Sequence, residues 1–240
     1  MFNLITQITI LLGLLFLYNS PVLAYSFLDN NLQLSLETRK NVWPEWNLPG
    51  PFNPSGLKRD IVYPAWFDGM WIVESIDLNN PENTPIKYQA KFKINNLDQV
   101  VGERAFNALS IGKAVFGDEL LSVKDDPKSP NRQLARFANQ VFLETKIIGR
   151  NQSSVINSEF FVDELSLQIF HNSNVSRVNQ IETLSKYQLC KSPKTIVADL
   201  SEERICGEQW QAFYLAPGES MEVKPLKTSH YKLILRQVFN

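Results

Sequence analysis

The chain has 240 residues, of which 44% are hydrophobic and 20% charged, and its 25 acidic and 24 basic side chains nearly cancel. That balance excludes the basic surplus with which nucleic-acid binders displace counterions, and it removes the simplest case for a polybasic membrane patch. The length suits one large domain or two small ones, able to bury a core without staples, and the 15 Phe, 7 Tyr and 5 Trp favour strands and apolar packing.

Residues 1–24 carry no charged side chain, and Ile8 to Tyr18 is almost wholly apolar. Asn19, Ser20 and Pro21 break a helix there, and Val22-Leu23-Ala24 has the form of a cleavage site. The stretch reads as a secretory signal over 1–24, although the first basic residue is Arg39. An uncleaved anchor is the alternative, for which the apolar run is short. Residues 25–60 read as an irregular arm interrupted by Pro44, Pro49, Pro51 and Pro54. Its Trp43, Trp46 and Phe52 either pack the arm onto the body or form a docking surface for a partner.

The body is expected over residues 61–240. Met70 to Ile76 is a strand candidate, and Ile86 to Ile94 alternates cleanly between apolar and polar residues. Glu103 to Phe116 suits a short helix ended by Gly117. Strand candidates resume at Glu119 to Val123, Val141 to Ile148, Ser158 to Glu164, Ser166 to His171, Ile181 to Leu189, Glu208 to Leu215 and His230 to Val238. Asp125-Asp126-Pro127 to Asn131 reads as a turn. The pattern predicts a mainly β fold, an antiparallel up-and-down barrel of about eight or nine strands with one short helix, since closure removes exposed edges.

Chemistry-bearing patterns are sparse. The only histidines, His171 and His230, form no helical metal pair, and nucleophile-elbow, phosphate-loop and dinucleotide motifs are absent from the sequence. No metal, cofactor or catalytic residue is therefore expected. Cys190 and Cys206 are the only cysteines. In an oxidising compartment they would pair, a bridge worth on the order of 3 kcal/mol; in a reducing one they would be free thiols. Arg132 and Arg136 would share a strand face, where two inward guanidinium groups would hold a carboxylate, with Arg104 and Arg150 as further candidates. The alternative is a solvated face.

Phe67-x-Gly69-x-Trp71, at the opening of the first strand, resembles the first short motif of lipocalins and related calycin barrels. The resemblance implies a barrel in which Gly69 lets the backbone turn and Trp71 is a buried plug beneath a basic residue of the last strand, here Arg236. Tyr63-Pro64-Ala65-Trp66-Phe67, Ser129 to Phe137 and Ile181-Glu182-Thr183 resemble an uncharacterised family of exported proteins from cyanobacteria and plastids. That resemblance implies a thylakoid lumen or periplasmic location and brings no catalytic residues. The leading expectation is a non-enzymatic barrel protein that binds an apolar ligand, a lipid or pigment, or assists assembly of a photosynthetic membrane complex. Trp71 and Phe92 would line its site, with Arg132 or Arg136 at an acidic head group. The rivals are a purely protein–protein assembly module and a pigment-handling enzyme like the bilin lyases.

Overall fold

The computed structural model describes residues 32, 34–52, 56–57, 59–172, 176–190, 204–218 and 223–238. The expected signal over 1–24 lies outside them. Ten antiparallel strands form one sheet. They are β1 (Gly69–Asp77), β2 (Ile86–Ile94), β3 (Val100–Gly102), β4 (Leu120–Asp126), β5 (Ser129–Phe137), β6 (Phe142–Gln152), β7 (Glu159–His171), β8 (Ser176–Leu189), β9 (Arg204–Tyr214) and β10 (Lys227–Gln237). A helical segment at 34–41 is α1, and Arg104–Phe116 is α2.

The strand order is β3-β2-β1-β10-β9-β8-β7-β6-β5-β4, so the first and last strands pair and the ends of the sheet are β3 and β4. A closed barrel would join those two; here the sheet stays an open, curled half-barrel. This corrects the expected closed barrel of eight or nine strands. The count rises because β3 and β5 are absent from the expected strand segments, while two expected segments form the single strand β7. The seam is spanned by α2, which packs against both β2 and β4. Only Phe92, Lys93 and Ile94 of β2 pair with β3. The remaining backbone edge is met by helix side chains: Gln89 N–H donates to Ser110 Oγ (2.8 Å), Lys91 N–H donates to Asn107 Oδ1 (2.7 Å), and Asn107 Nδ2 donates to the Lys91 carbonyl (3.0 Å). An edge that would template further strands is thereby covered.

The curl follows from aromatic packing on one face. β2 and β7 are five spacings apart in the sheet, roughly 24 Å if flat. Yet the Phe67 ring lies 4.8 Å from that of Phe92 on β2 and 6.4 Å from that of Phe160 on β7. Phe67 is the centre of the concave core, with Tyr63, Trp66 and Tyr187 against it and Trp71, Val73, Ile205, Leu233 and Leu235 around it.

The convex face of β7, β8 and β9 is covered by the N-terminal arm. The arm is not wholly irregular as its prolines suggest. They begin at residue 44, upstream of which Leu32, Leu36 and Arg39 fall on one helical face turned to the sheet. Leu36, Trp46 and Leu48 pack on Phe161, Leu184, Trp210 and Tyr214. Leu48 forms a β-bridge with Val223. Phe52 lies over Gly149, where an added Cβ would come within 2.5 Å of the ring, so the position is closed to any larger residue. The arm aromatics thus act as packing groups.

Candidate functional site

The four residues expected to bind a ligand are not brought together. Trp71 and Phe92 are buried in the concave core. Trp71 donates its indole N–H to the Phe67 carbonyl (2.7 Å), which ties the strand to the short 3-10 turn Ala65–Phe67 before it. Gly69, between them, has φ +111°, a conformation that side-chain-bearing residues avoid. Arg132 and Arg136 do share a face, as alternation requires, but it is the convex one: Arg132 is opposite Lys146 and Arg136 opposite Phe142. Arg132 makes a two-pronged pair with Glu144 (2.7 and 3.1 Å) and a further bond to Asp126 (3.0 Å). The carboxyls of Glu144 and Asp126 are accordingly held below the usual range, Glu144 chiefly by Arg132 and Asp126 chiefly by the Lys128 backbone N–H.

Arg236 corrects another expectation. β1 and β10 pair as anticipated, but Trp71 lies opposite Gln237 and Arg236 opposite Ile72. One residue of offset reverses the face. Arg236 therefore points away from the indole and donates to Glu74 (2.9 Å). The cysteines do pair: Cys190 and Cys206 form a disulfide, with Cα atoms 5.0 Å apart, joining the end of β8 to β9. Arg150 is buried on the concave side and paired with Glu164 (2.6 Å).

The densest polar cluster was not foreseen. Beneath the arm, Arg39 of α1 grips Glu182 of β8 with both prongs (2.7 and 2.6 Å), and Tyr214 of β9 donates its hydroxyl to the same carboxylate (2.8 Å). The guanidinium also stacks over Trp46, at 4.8 Å from the ring centroid. Next to this group lies Asp163 of β7, fully buried, with neither carboxylate oxygen hydrogen-bonded. Burial, then the neighbouring Glu182 charge, pushes its carboxyl well above the usual range. The signal in the sequence is faint: Glu182 stands in phase with Leu184 on an otherwise core-facing strand row, and Asp163 with Phe161 and Leu165.

A pH dependence follows. An unfolded Asp163 loses its proton near 3.8, whereas the folded protein retains it to higher pH. Above that value the folded state holds a proton the unfolded state has released, so this group's contribution to stability is greatest in acid and falls as pH rises. Thermal melts across a pH series should show Asp163→Asn losing that part of the decline. An identical pH profile in the variant would exclude Asp163 as its source.

A groove of about 430 Å³ opens where the start of α2 meets β3 and the β4–β5 turn, lined by Asp60, Lys93, Val101, Arg104, Phe106 and Asp125 among others. Its cations are matched by acids: Lys93 with Glu103 (2.9 Å) and Arg104 near Asp60 (3.9 Å).

The convex face of β4, β5 and β6 lies beyond the arm. There the register sets Ser122, Arg136 and Phe142 side by side, and Lys124, Leu134 and Glu144 beside them. Leu134, Phe142, Arg136, Lys124 and Lys146 are exposed. Among the described residues no helix is long and apolar enough to cross a membrane.

Fold and surfaces together define a mainly β protein: an open antiparallel half-barrel plugged by aromatics, sealed along its seam by a helix and strapped outside by its own N-terminal arm. The chain belongs to the family described as "Domain of unknown function (DUF6816)", which matches residues 55–238. No curated protein and no solved structure gave a match.

Proposed function

We propose that the chain is a non-enzymatic binding and assembly protein of an exported compartment, the thylakoid lumen or the periplasm, working through the outer surface of its sheet. The observation that carries the reading is the division of the convex face. The part over β7–β9 is buried under the arm, while the part over β4–β6 is bare and mixes exposed Leu134 and Phe142 with cations. Exposed apolar residues gathered with charges on one face are a feature of interaction sites. The Cys190–Cys206 disulfide supports an oxidising location. The uncharged 1–24 segment supports export, and the calycin-like Phe67-x-Gly69-x-Trp71 turn supports kinship with small barrel proteins. Assembly at a photosynthetic membrane complex is the corresponding physiological role.

The test is quantitative capture by isolated membranes of the source compartment. Phe142→Glu combined with Leu134→Glu should abolish capture while the fold, followed by circular dichroism, is kept. Undiminished capture by this variant would reject the face as the working surface. The groove beside Phe106 favours a second reading, a small apolar ligand, since its volume falls in the range of ligand pockets. Organic extraction of protein purified from its natural source would recover that ligand.

A further inference from the structure

The corner of the sheet formed by the start of β4, the end of β5 and the start of β6 gathers an unusual share of exposed large hydrophobic residues. Leu121, Leu134 and Phe142 lie on these three strands and are between 42% and 46% exposed. The register makes them neighbours on the convex face: Arg136 pairs with Ser122 and with Phe142, Leu134 pairs with Lys124 and with Glu144, and Leu121 sits at the register shift beside Ser122. Around this apolar tip are Lys124, Arg136 and Lys146. All three are exposed, and none forms an ion pair among the described residues. Arg39, Arg132, Arg150, Lys186 and Arg236, by contrast, each have a carboxylate within 3.0 Å. In a chain of net charge −1, three unpaired cations around an apolar tip form a local field of opposite sign.

We propose that this corner docks on an anionic lipid bilayer, with Phe142, Leu134 and Leu121 entering the interface and Lys124, Arg136 and Lys146 meeting the headgroups. The proposal rests on the reading of the bare face as a docking surface and names its partner. Charge complementarity favours a bilayer over an acidic protein. The cations stand on three separate strands and in three successive rows of one sheet, roughly 8–14 Å apart by strand and row spacing, and ring protruding side chains rather than a cleft. That arrangement matches a plane of negative charge and greasy depth, and it offers no pocket for a particular acidic side chain. Each such cation strengthens binding to an anionic surface about fivefold, and the apolar side chains add burial of the kind interfacial anchors use.

Co-sedimentation of the full chain with vesicles of pure phosphatidylcholine, and of phosphatidylcholine with 40% phosphatidylglycerol, tests this. Residues 1–24 carry no charged side chain and are unchanged in every variant, so the change in the ratio between the two vesicles on substitution isolates the corner. The ratio should greatly exceed one at low salt, fall in 0.5 M NaCl, and drop about 30-fold or more in Arg136→Glu/Lys146→Glu. Phe142→Ser should weaken binding to the anionic vesicles without changing the salt dependence. A second variant, Lys87→Glu/Lys232→Glu, reverses exposed cations on β2 and β10 and should leave the ratio unchanged. A ratio near one for the wild type, or an equal loss in both charge-reversal pairs, overturns the bilayer proposal. If vesicle binding is absent yet membrane capture still depends on Phe142 and Leu134, the partner is a membrane protein: the bilayer assignment falls and the docking reading stands. If capture too ignores these residues, both fall.

Discussion

Replacing Arg39 with Ala is expected to destabilise the protein by about 3–5 kcal/mol, the cost of leaving a buried carboxylate without its cation. Glu182 is fully buried, and apart from Arg39 its hydrogen-bond donor is the Tyr214 hydroxyl. The same substitution removes the guanidinium from the face of Trp46 and frees the helix that carries Leu36. The loss should therefore appear as release of the arm as well as a lower urea midpoint. Protease cleavage between residues 34 and 52 would mark that release. The companion experiment separates ion pairing from packing. Arg39→Met with Glu182→Leu and Tyr214→Phe removes all three polar partners together, leaves neither charge of the Arg39–Glu182 pair without its partner, and should recover most of the stability. A triple variant as unstable as Arg39→Ala would show that the arm is held by the shape of the Arg39 side chain and not by its charge.

Phe67→Ala should cost a similar amount, about 3–5 kcal/mol, by emptying the middle of the concave core. Phe67 is 1% exposed and contacts rings from β2, β7 and β8 as well as Tyr63 and Trp66. It bridges strands five spacings apart, so its loss removes the packing that keeps the sheet curled. The near-ultraviolet dichroism of the surrounding tyrosine and tryptophan should diminish while the far-ultraviolet strand signal persists. A destabilisation below about 1 kcal/mol would mean that the curl is set by the strands and the seam helix rather than by this ring.

Much of the local structure was legible because it depends on near neighbours. The alternation over Ile86 to Ile94 matches β2 end to end, and Glu103 to Phe116 gives α2 to within one residue. β3 escaped because three residues carry too little period to recognise, and its existence depends on β2 lying alongside. β5 was obscured by Pro127 and Pro130, which signal a turn; the turn is there, but the strand begins within it at Ser129. α1 was hidden by the prolines that follow it. The site was less legible than the fold. Arg39 and Glu182 are 143 positions apart, and nothing in either neighbourhood announces the other.

From its order of residues alone, this protein's mainly antiparallel character and its seam helix α2 could be deduced, since each arises from periodicity or chain-local chemistry, whereas the pairing of its two cysteines stayed open. The three-dimensional structure decided the rest: that the barrel stays open between β3 and β4 with α2 in the seam, that Arg236 faces Glu74 instead of Trp71, and that the arm clamps an acid pair. It also decided that a chain with balanced charge gathers Lys124, Arg136 and Lys146 at one apolar corner. Composition sums charges over the whole chain, whereas strand register sets which of them share a face. A shift of one residue exchanges inside for outside, and that choice is made by partners far away in the chain.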